Sequence, residues 1–455
     1  MAGRSPERAG RSHTATVTRT PGQVTSVADT ARSSPPSGYS EGVRFIFRPP
    51  AEHASGLLQL PWDTPLEQWD SEHLVEVAQR GLSRHVVRFV ESNGMVFACK
   101  EIDERLARRE YRLLGELESQ GMPAVSVLGV CVERPPVDGV AQDAVLVTRY
   151  LDYSMSYRYV FSHGHALRPS DQLLDAMVEL LVRLHLAGLF WGDCSLSNTL
   201  FRPDAGRIGA YLVDAETAAL HAKLSDGQRH YDVSFAAERV GGELFDLQAG
   251  GLLPDDVDPV TVAADLPRRY DALWTELTRE ELFRPDEQRY RVAQRINRLN
   301  ELGFDVDELE LITTEAGTRL RVHTQVAESG RHRDQLFTRT GLRATENQAR
   351  RMLNDVISFR GYLEQKEGRP LSETVAAHRW RSEVFDKVLA MVPGELSDRL
   401  APAEVFHEIL EHRWFLSEQA GTDVGTTAAA RSYVETILPA TASTMPALPP
   451  VAATT

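Results

Sequence analysis

Cysteine is scarce in this 455-residue chain, which has only Cys99, Cys131 and Cys194. An odd number, widely spaced among apolar neighbours, makes neither a disulfide framework nor a zinc ribbon. Reduced, mostly buried thiols in a cytoplasmic protein are the expectation. Long apolar runs are missing as well. No stretch of about 20 apolar residues occurs, so no membrane span is expected. The opening MAGRSPERAGRSHTATVTRTPGQ carries basic residues without the apolar core of a secretion signal. Positive charge is in deficit: 50 Lys and Arg against 65 Asp and Glu leave a net charge of -15. That balance argues against broad nucleic-acid binding, which needs a basic face to displace counterions. It leaves room for a small basic pocket for phosphate.

What is present is ordinary globular material. Hydrophobic residues make up 42% and charged residues 25%, enough to bury a large core. The length allows about three domains, or two with tails. Residues 1–42 are rich in Ser, Thr, Pro, Gly and Arg and are expected to be a disordered tail, as is the segment 437–455. No internal repeat is evident. The ordered chain begins near VRFIFRPP, a short strand ended by Pro49-Pro50. RHVVRFVES and MVFACKE flank Asn93-Gly94, the dipeptide of a tight hairpin turn. Alternation puts Lys100 on the face that Val96 and Ala98 line.

A helix is predicted next over ERLARREYRLLGELESQG. Leu106, Glu110, Leu113, Leu114 and Leu117 recur at steps of three and four, which is one helical face. Glu110 therefore lies inside the apolar stripe, where a carboxylate is costly unless paired. The helix stops at Gly121-Met122-Pro123, and the strand-like runs AVSVLGVCVE and DAVLVTRYL follow. Residues 171–189 read as a long helix with Leu174, Met177, Leu181 and Leu184 on one stripe and Gly188 near its end. FWGDCSLSNTLF comes directly after it and carries Asp193 and Asn198. TLFRPDAGRIGAYLVDAE then reads as strand, turn and strand, ending at Asp214.

A Gly/Pro/Asp-rich link, QAGGLLPDDVDP, divides an expected domain at 43–250 from an α-rich domain at 251–436. In the second domain RRYDALWTELTREELF and DEQRYRVAQRINRLNELGF look helical. ELELITTEAGTRLRVHTQV looks like a hairpin around Glu315-Ala316-Gly317. Thr345 to Gln348 matches a capping box ahead of ARRMLNDVISFRGYLE. HEILEH, His407 to His412, resembles a zinc helix but is one residue too long. The two histidines would lie about 140° apart on a helix, so salt bridges are the better reading there. The hairpin after QRINRLNELGF suggests a winged-helix DNA reader only weakly, given the acidic balance.

Lys100 on a strand, Glu110 inside the next helix, Asp193 and Asn198 in a loop, and Asp214 at a strand end form an ordered set. In this order the chain resembles the protein-kinase-like superfamily. FACK stands where V-A-I-K would, WGDCSLSN where H-R-D-x-x-x-x-N would, and VDAE where D-F-G would. The G-D pair and D-x-E are closer to the atypical branch, which includes lipopolysaccharide kinases and the aminoglycoside and choline phosphotransferases. The likeness covers about residues 80–250. The whole chain is similar to an actinobacterial family of domains of unknown function with a kinase-like core. The resemblance implies a bilobal α+β kinase-like fold, ATP and Mg2+, and an ATP-dependent phosphotransferase acting on a hydroxyl-bearing acceptor.

It also implies roles. Lys100 would bind the α/β-phosphates, Glu110 would orient it, and Asp193 would be the catalytic base. Asn198 and Asp214 would hold magnesium. Thr148, Tyr150 and Leu151 of TRYL would be the link at which adenine docks. Three departures stand out. No G-x-G-x-x-G precedes Lys100, so Gly81, Ser83 and Arg84 of RGLSRHVVRF would cover the phosphates with a hydroxyl and a guanidinium. Trp191 replaces the usual His, and Ser195 occupies a position where protein kinases often carry lysine. No A-P-E motif follows; in LSDGQRHYD, Asp226, Arg229 or His230 could meet the acceptor, though a polar turn is the better reading. These departures motivate two alternatives. One is a pseudokinase-like scaffold whose α-rich region binds a protein partner, and the other is AMP transfer by the same fold.

Overall fold

A computed structural model describes residues 43–47, 51–70, 74–77, 84–163, 169–279, 281–283, 308–314, 317–323 and 331–441. Both expected tails lie outside the described residues, except that order continues to Thr441. Leu438, read from sequence as the start of the C-terminal tail, is fully buried in a helical core and opens a short 3-10 turn, Leu438–Ala440.

The N-terminal lobe is built on five antiparallel strands: β1 (Arg44–Phe47), β2 (Val87–Ser92), β3 (Met95–Ile102), β4 (Val127–Val132) and β5 (Ala144–Arg149). They pair in the order β1-β4-β5-β3-β2. Asn93 and Gly94 both take positive φ, 50° and 78°. That conformation gives a two-residue turn the twist its strands require, and it fixes the register Val87 opposite Lys100. One face of the sheet is covered by α1 (Ala51–Leu58) and the segment after it, through Leu57, Trp62, Leu66 and Trp69 against Phe97, Cys99, Cys131 and Val147. The other face meets α2 (Glu104–Ser119), whose Ala107, Leu113, Leu114 and Leu117 pack on Ile102, Val130 and Leu146. Asp103 caps α2 by accepting the N–H groups of Arg105 and Leu106. Lys100 lies on the α2 face, as the alternation predicts.

The second lobe contains α3 (Tyr157–His163), α4 (Pro169–Leu186), β6 (Leu189–Phe190), β7 (Thr199–Pro203), β8 (Ile208–Leu212), β9 (Ala219–Leu220), α5 (Asp226–Ala249) and α6 (Pro259–Thr278). Leu174, Met177, Leu181 and Leu184 of α4 are buried in one continuous core with Val233, Val240 and Leu244 of α5 and Leu266, Tyr270 and Leu277 of α6. Gly188 turns the chain out of α4 at φ +83°, and a Cβ there would lie 2.1 Å from the His221 carbonyl oxygen. Only glycine fits that approach.

Beyond α6 the short strand β10 (Glu281–Phe283) joins β11 (Glu308–Thr314) and β12 (Gly317–His323) in the order β10-β12-β11. The ELF of TREELF is thus a strand, not the end of a helix: Glu281 pairs with Leu320 and Phe283 with Thr318. Cross-strand pairing overrides a helical composition over three residues. The helix expected over DEQRYRVAQRINRLNELGF, and the turn residues Glu315 and Ala316, lie outside the described residues. The C-terminal region is helical: α7 (Arg331–Thr340), α8 (Glu346–Glu367), α9 (Glu373–Trp380), α10 (Asp386–Leu389), α11 (Pro402–Ala420) and α12 (Thr426–Thr436). Met352, Val356, Trp380, Phe385, Phe406, Ile409 and Tyr433 form its own core. Among the described residues no helix is long and apolar enough to cross a membrane.

Candidate active site

The Lys100 ammonium lies 3.1 Å from Glu110 Oε2 and 2.9 Å from Asp214 Oδ2. Strand β3, helix α2 and the end of the β7–β8 hairpin therefore meet at one cation. Burial pulls the lysine down, but the carboxylates of Glu110 and Asp214 outweigh it and hold the ammonium above its ordinary range. Glu110 is almost fully buried. Burial pushes its carboxyl upward, and Lys100 opposes that push. Its second oxygen accepts the Ala215 N–H at 3.1 Å, so one carboxylate fixes both the lysine and the backbone beside Asp214. Asp214 Oδ1 accepts the N–H of Glu216 at 3.0 Å.

The loop that carries Asp193 is held from within and from below. Asn198 Nδ2 donates to the Asp193 carbonyl oxygen at 2.9 Å and to its Oδ2 at 3.2 Å. Gly192 precedes it at φ +78°, which explains the G-D pair in conformational terms. Trp191 is fully buried, and its indole N–H donates to the Asp214 carbonyl oxygen at 2.9 Å. The residue that departs from the usual histidine thus ties the Asp193 loop to the Asp214 strand end. Ser195 is turned inward, and its hydroxyl accepts the Asn198 N–H.

Two residues of α5 that the sequence reading missed support this loop. Asp232, buried completely, accepts the N–H of Trp191 at 2.7 Å and of Gly192 at 2.9 Å, and it bonds His185 Nε2 at 3.1 Å. Glu243 accepts the N–H groups of Leu196 and Ser197, at 2.6 and 3.0 Å, and the Ser197 hydroxyl. Burial raises the Glu243 carboxyl, with those hydrogen bonds working against it.

Asp193 is also met by two cations. Arg84 Nη2 approaches Oδ2 at 3.1 Å, and Arg239 Nε of α5 approaches Oδ1 at 3.3 Å. Next to Arg84, His85 Nε2 lies 3.0 Å from Glu216. The segment that would cover phosphates in place of a glycine loop is therefore joined to the second lobe at two points. Ser83 and Gly81 lie outside the described residues.

The remaining sequence candidates fall as follows. Thr148 pairs with Ala98 one residue before the end of β5, and the Tyr150 N–H is committed to the Val96 carbonyl at 2.9 Å. The Tyr150 ring is buried edge-on against Phe89, and Leu151 is half-buried beside it. Arg229 is buried, bonds Asp226 and the Tyr270 hydroxyl, and stacks over Trp274, so it ties α5 to α6. His230 lies beside Asp271. In HEILEH, His407 meets Arg351 and Glu411, while His412 bonds Ser432. Among the described residues no group of three or more His, Cys, Asp and Glu could hold a metal ion by itself. All three cysteines are free and buried.

With this geometry in place, the comparisons can be set beside it. Residues 96–233 match the profile of the lipopolysaccharide kinase (Kdo/WaaP) family. The core of this chain is kinase-like. That match takes in the whole Lys100, Glu110, Asp193, Asn198 and Asp214 set and reaches Asp232. Residues 272–438 match a second profile, Domain of unknown function (DUF4032). A solved structure, WaaP in complex with acyl carrier protein, is similar at 19% identity and a TM-score of 0.33, covering 57% of this chain and 99% of that one. No curated protein matches the chain.

ATP and magnesium are what a kinase-like core implies, and the donor set of this one suits them. Asp214 and Asn198 offer only hard oxygen ligands, a carboxylate and a carboxamide. Magnesium typically takes one or two such protein ligands and completes its shell with phosphate and water. Lys100, kept charged by its two carboxylates, is a cation suited to phosphate oxygens.

Proposed function

We propose that this chain is an ATP-dependent phosphotransferase that moves the γ-phosphate to a hydroxyl-bearing acceptor. The observation that supports it most is the double engagement of Lys100, by Glu110 and by Asp214. Such a cluster is expensive to bury and does little for a fold. It is what phosphoryl transfer needs, because that reaction is catalysed by positioned charge rather than by covalent chemistry. Mg-ATP, when bound, supplies the activated phosphoryl group and the metal's charge. Lys100 would grip the α/β-phosphates and Glu110 would orient it. Asp214 and Asn198 would hold the metal. Asp193 would take the proton of the acceptor hydroxyl, its place fixed by Asn198 and by the Asp232-anchored loop. Arg84 and Arg239, already beside Asp193, would face the charge that develops on the moving phosphoryl group. Thr148, Tyr150 and Leu151 would form the adenine edge.

Calorimetry of Mg-ATP binding to the wild-type protein and to Asp214→Ala tests the reading. Binding that is lost or strongly weakened in the variant supports it. A flat titration with wild type, or an Asp214→Ala variant that binds as wild type does, overturns it. Labelled ATP with metabolite and lipid extracts would then identify the acceptor.

One observation favours a second reading. Asp193 is held on both oxygens by arginines, as a purely structural carboxylate would be. A pseudokinase-like scaffold, with the helical domain binding a protein, would look this way. Transfer of label to any acceptor, abolished in Asp193→Asn, excludes it.

A further inference from the structure

The β7–β8 hairpin has the candidate metal ligands at one end and the C-terminal helical region at the other. Asn198 immediately precedes β7, and Asp214 follows β8 by two residues. The Val213 N–H donates to the Asn198 carbonyl at 3.1 Å and closes that end. The hairpin is a two-stranded sheet of its own, and an isolated two-stranded ribbon is marginal without anchors. Its base is tied to the N-terminal lobe, where Leu212 exchanges backbone bonds with Pro123 and Val125.

Its tip is tied elsewhere. Ala205 and Gly206 turn the chain at φ 54° and 77°, and alanine is an unfavourable residue for that conformation. The turn is held from outside. Glu404 of α11, buried, accepts the Ala205 N–H at 2.9 Å and the Gln348 side-chain N–H at 2.6 Å. Asp204 accepts the N–H of Gln348 at 3.1 Å, the Asn347 side-chain N–H at 3.0 Å and the Thr345 hydroxyl at 2.5 Å. Thr345 is the N-cap of α8, and Asn347 and Gln348 lie in its first turn. A residue of the kinase-like core thus caps a helix of the C-terminal region, while a buried acid of that region caps the turn of the core. Each region supplies an acceptor to a backbone N–H of the other.

We propose that the C-terminal helical region is a brace for the phosphoryl-transfer site, with Asp204 and Glu404 as positioning residues that keep Asn198 and Asp214 correctly spaced through the β7–β8 hairpin. The proposal rests on the phosphotransferase reading. It gives the helical region a task in the reaction that does not require a further partner.

The test uses the full chain and four variants: Asp204→Ala, Glu404→Ala, Asp204→Asn, which preserves a good cap, and Asn347→Ala, which removes one bond from the α8 side. Hydrogen exchange is read at residues 196–214, and Mg2+ is titrated at fixed ADP by calorimetry. The brace predicts faster exchange at Asn198 and Val213 in both Asp204→Ala and Glu404→Ala. It also predicts Mg2+ half-saturation raised about 10-fold, the scale of losing a partner that orients a metal ligand. Metal-free ADP binding stays unchanged. Asp204→Asn restores both readouts, and Asn347→Ala shifts them in the same direction by less, which keeps the test decisive if an alanine variant at the clamp fails to fold. Exchange that accelerates only at the tip, with Mg2+ affinity as in wild type, overturns the brace. If wild type binds no Mg-ADP, the phosphotransferase reading falls, while the exchange pattern still decides whether the clamp reaches Asn198.

Discussion

Lys100 and Asp214 are 114 positions apart in sequence and 2.9 Å apart in space. The contact joins the sheet lobe to the end of the β7–β8 hairpin, and buried Glu110 completes it from α2. Removing the lysine alone leaves a buried carboxylate without its cation, a change that costs about 3–5 kcal/mol. Lys100→Met is expected to lower the thermal midpoint and to abolish Mg-ATP binding. Lys100→Met combined with Glu110→Gln removes the more deeply buried of the two charges that the lysine leaves unpaired. That double variant should regain much of the midpoint and none of the binding. Recovery of both would show that Lys100 serves only the fold.

Arg239 is expected to matter for turnover more than for stability. It is half-exposed, reaches Asp193 at 3.3 Å and lies over the Phe235 ring. A surface ion pair of this kind contributes roughly 0–1 kcal/mol to folding. A cation facing a developing phosphoryl charge contributes much more, on the order of 100-fold in kcat. Arg239→Met should therefore keep its melting temperature within about 2 °C and lose most of its phosphate transfer. Arg84→Met, at the exposed rim of the site, should raise KM for Mg-ATP more than it lowers kcat. Steady-state kinetics at varied ATP separates the two.

Much of this site was legible in sequence because its parts break local rules. Lys100 interrupts an alternating strand and Glu110 an apolar helical stripe, and each departure meant a partner. Asp232 obeys the same logic: it lies on the α5 face with Val233, Ala236 and Val240. The carboxylate in that stripe is readable, and LSDGQRHYD, expected to be a polar turn, instead opens α5 itself, with Ser225 as its N-cap and Asp226 and Arg229 in its first turns. Trp191 reads in sequence only as a departure from the usual His, and its indole is a strut to Asp214. That role needs the third dimension, as does the clamp between Asp204 and Glu404, whose partners are about 200 positions apart. TENQ announced a cap at Thr345, and Gln348 does accept the Thr345 N–H. No local pattern could show that Asp204 takes the Gln348 N–H.

Asp232 gives a prediction about the fold beneath the site. Its two oxygens serve His185 and the loop N–H of Trp191, both buried, and the loop N–H of Gly192, which is partly buried. Asp232→Ala leaves these donors unsatisfied at about 1–3 kcal/mol each. A loss of several kcal/mol is expected, read as a drop in the denaturant midpoint. Asp232→Asn keeps an acceptor for one N–H and should lose less. In both variants the Gly192 and Trp191 amides should exchange faster than those of the β1–β5 sheet. Equal acceleration everywhere would mean that Asp232 holds only global stability and no particular loop.

The clamp at the hairpin tip should make stability depend on pH near neutrality. Burial raises the Glu404 carboxyl from its ordinary range to about 7, with the Ala205 and Gln348 hydrogen bonds opposing the rise and the charges of Glu408 and Asp204 adding to it. An acid whose pKa is higher folded than unfolded binds its proton more tightly when folded. Its stabilising contribution is complete below the ordinary carboxyl pKa and is lost as pH climbs through about 7. The span amounts to about 3 kcal/mol at most. Glu404→Gln cannot ionise and keeps an acceptor for the Ala205 N–H. Unfolding midpoints taken from pH 5 to 8 should therefore fall for wild type and stay flatter for the variant. Glu408 and His407 also titrate nearby, the first raised and the second lowered by burial. Subtracting the two curves isolates Glu404 from both. A difference curve without slope between pH 5 and 8 would show that Glu404 stays ionised in the clamp.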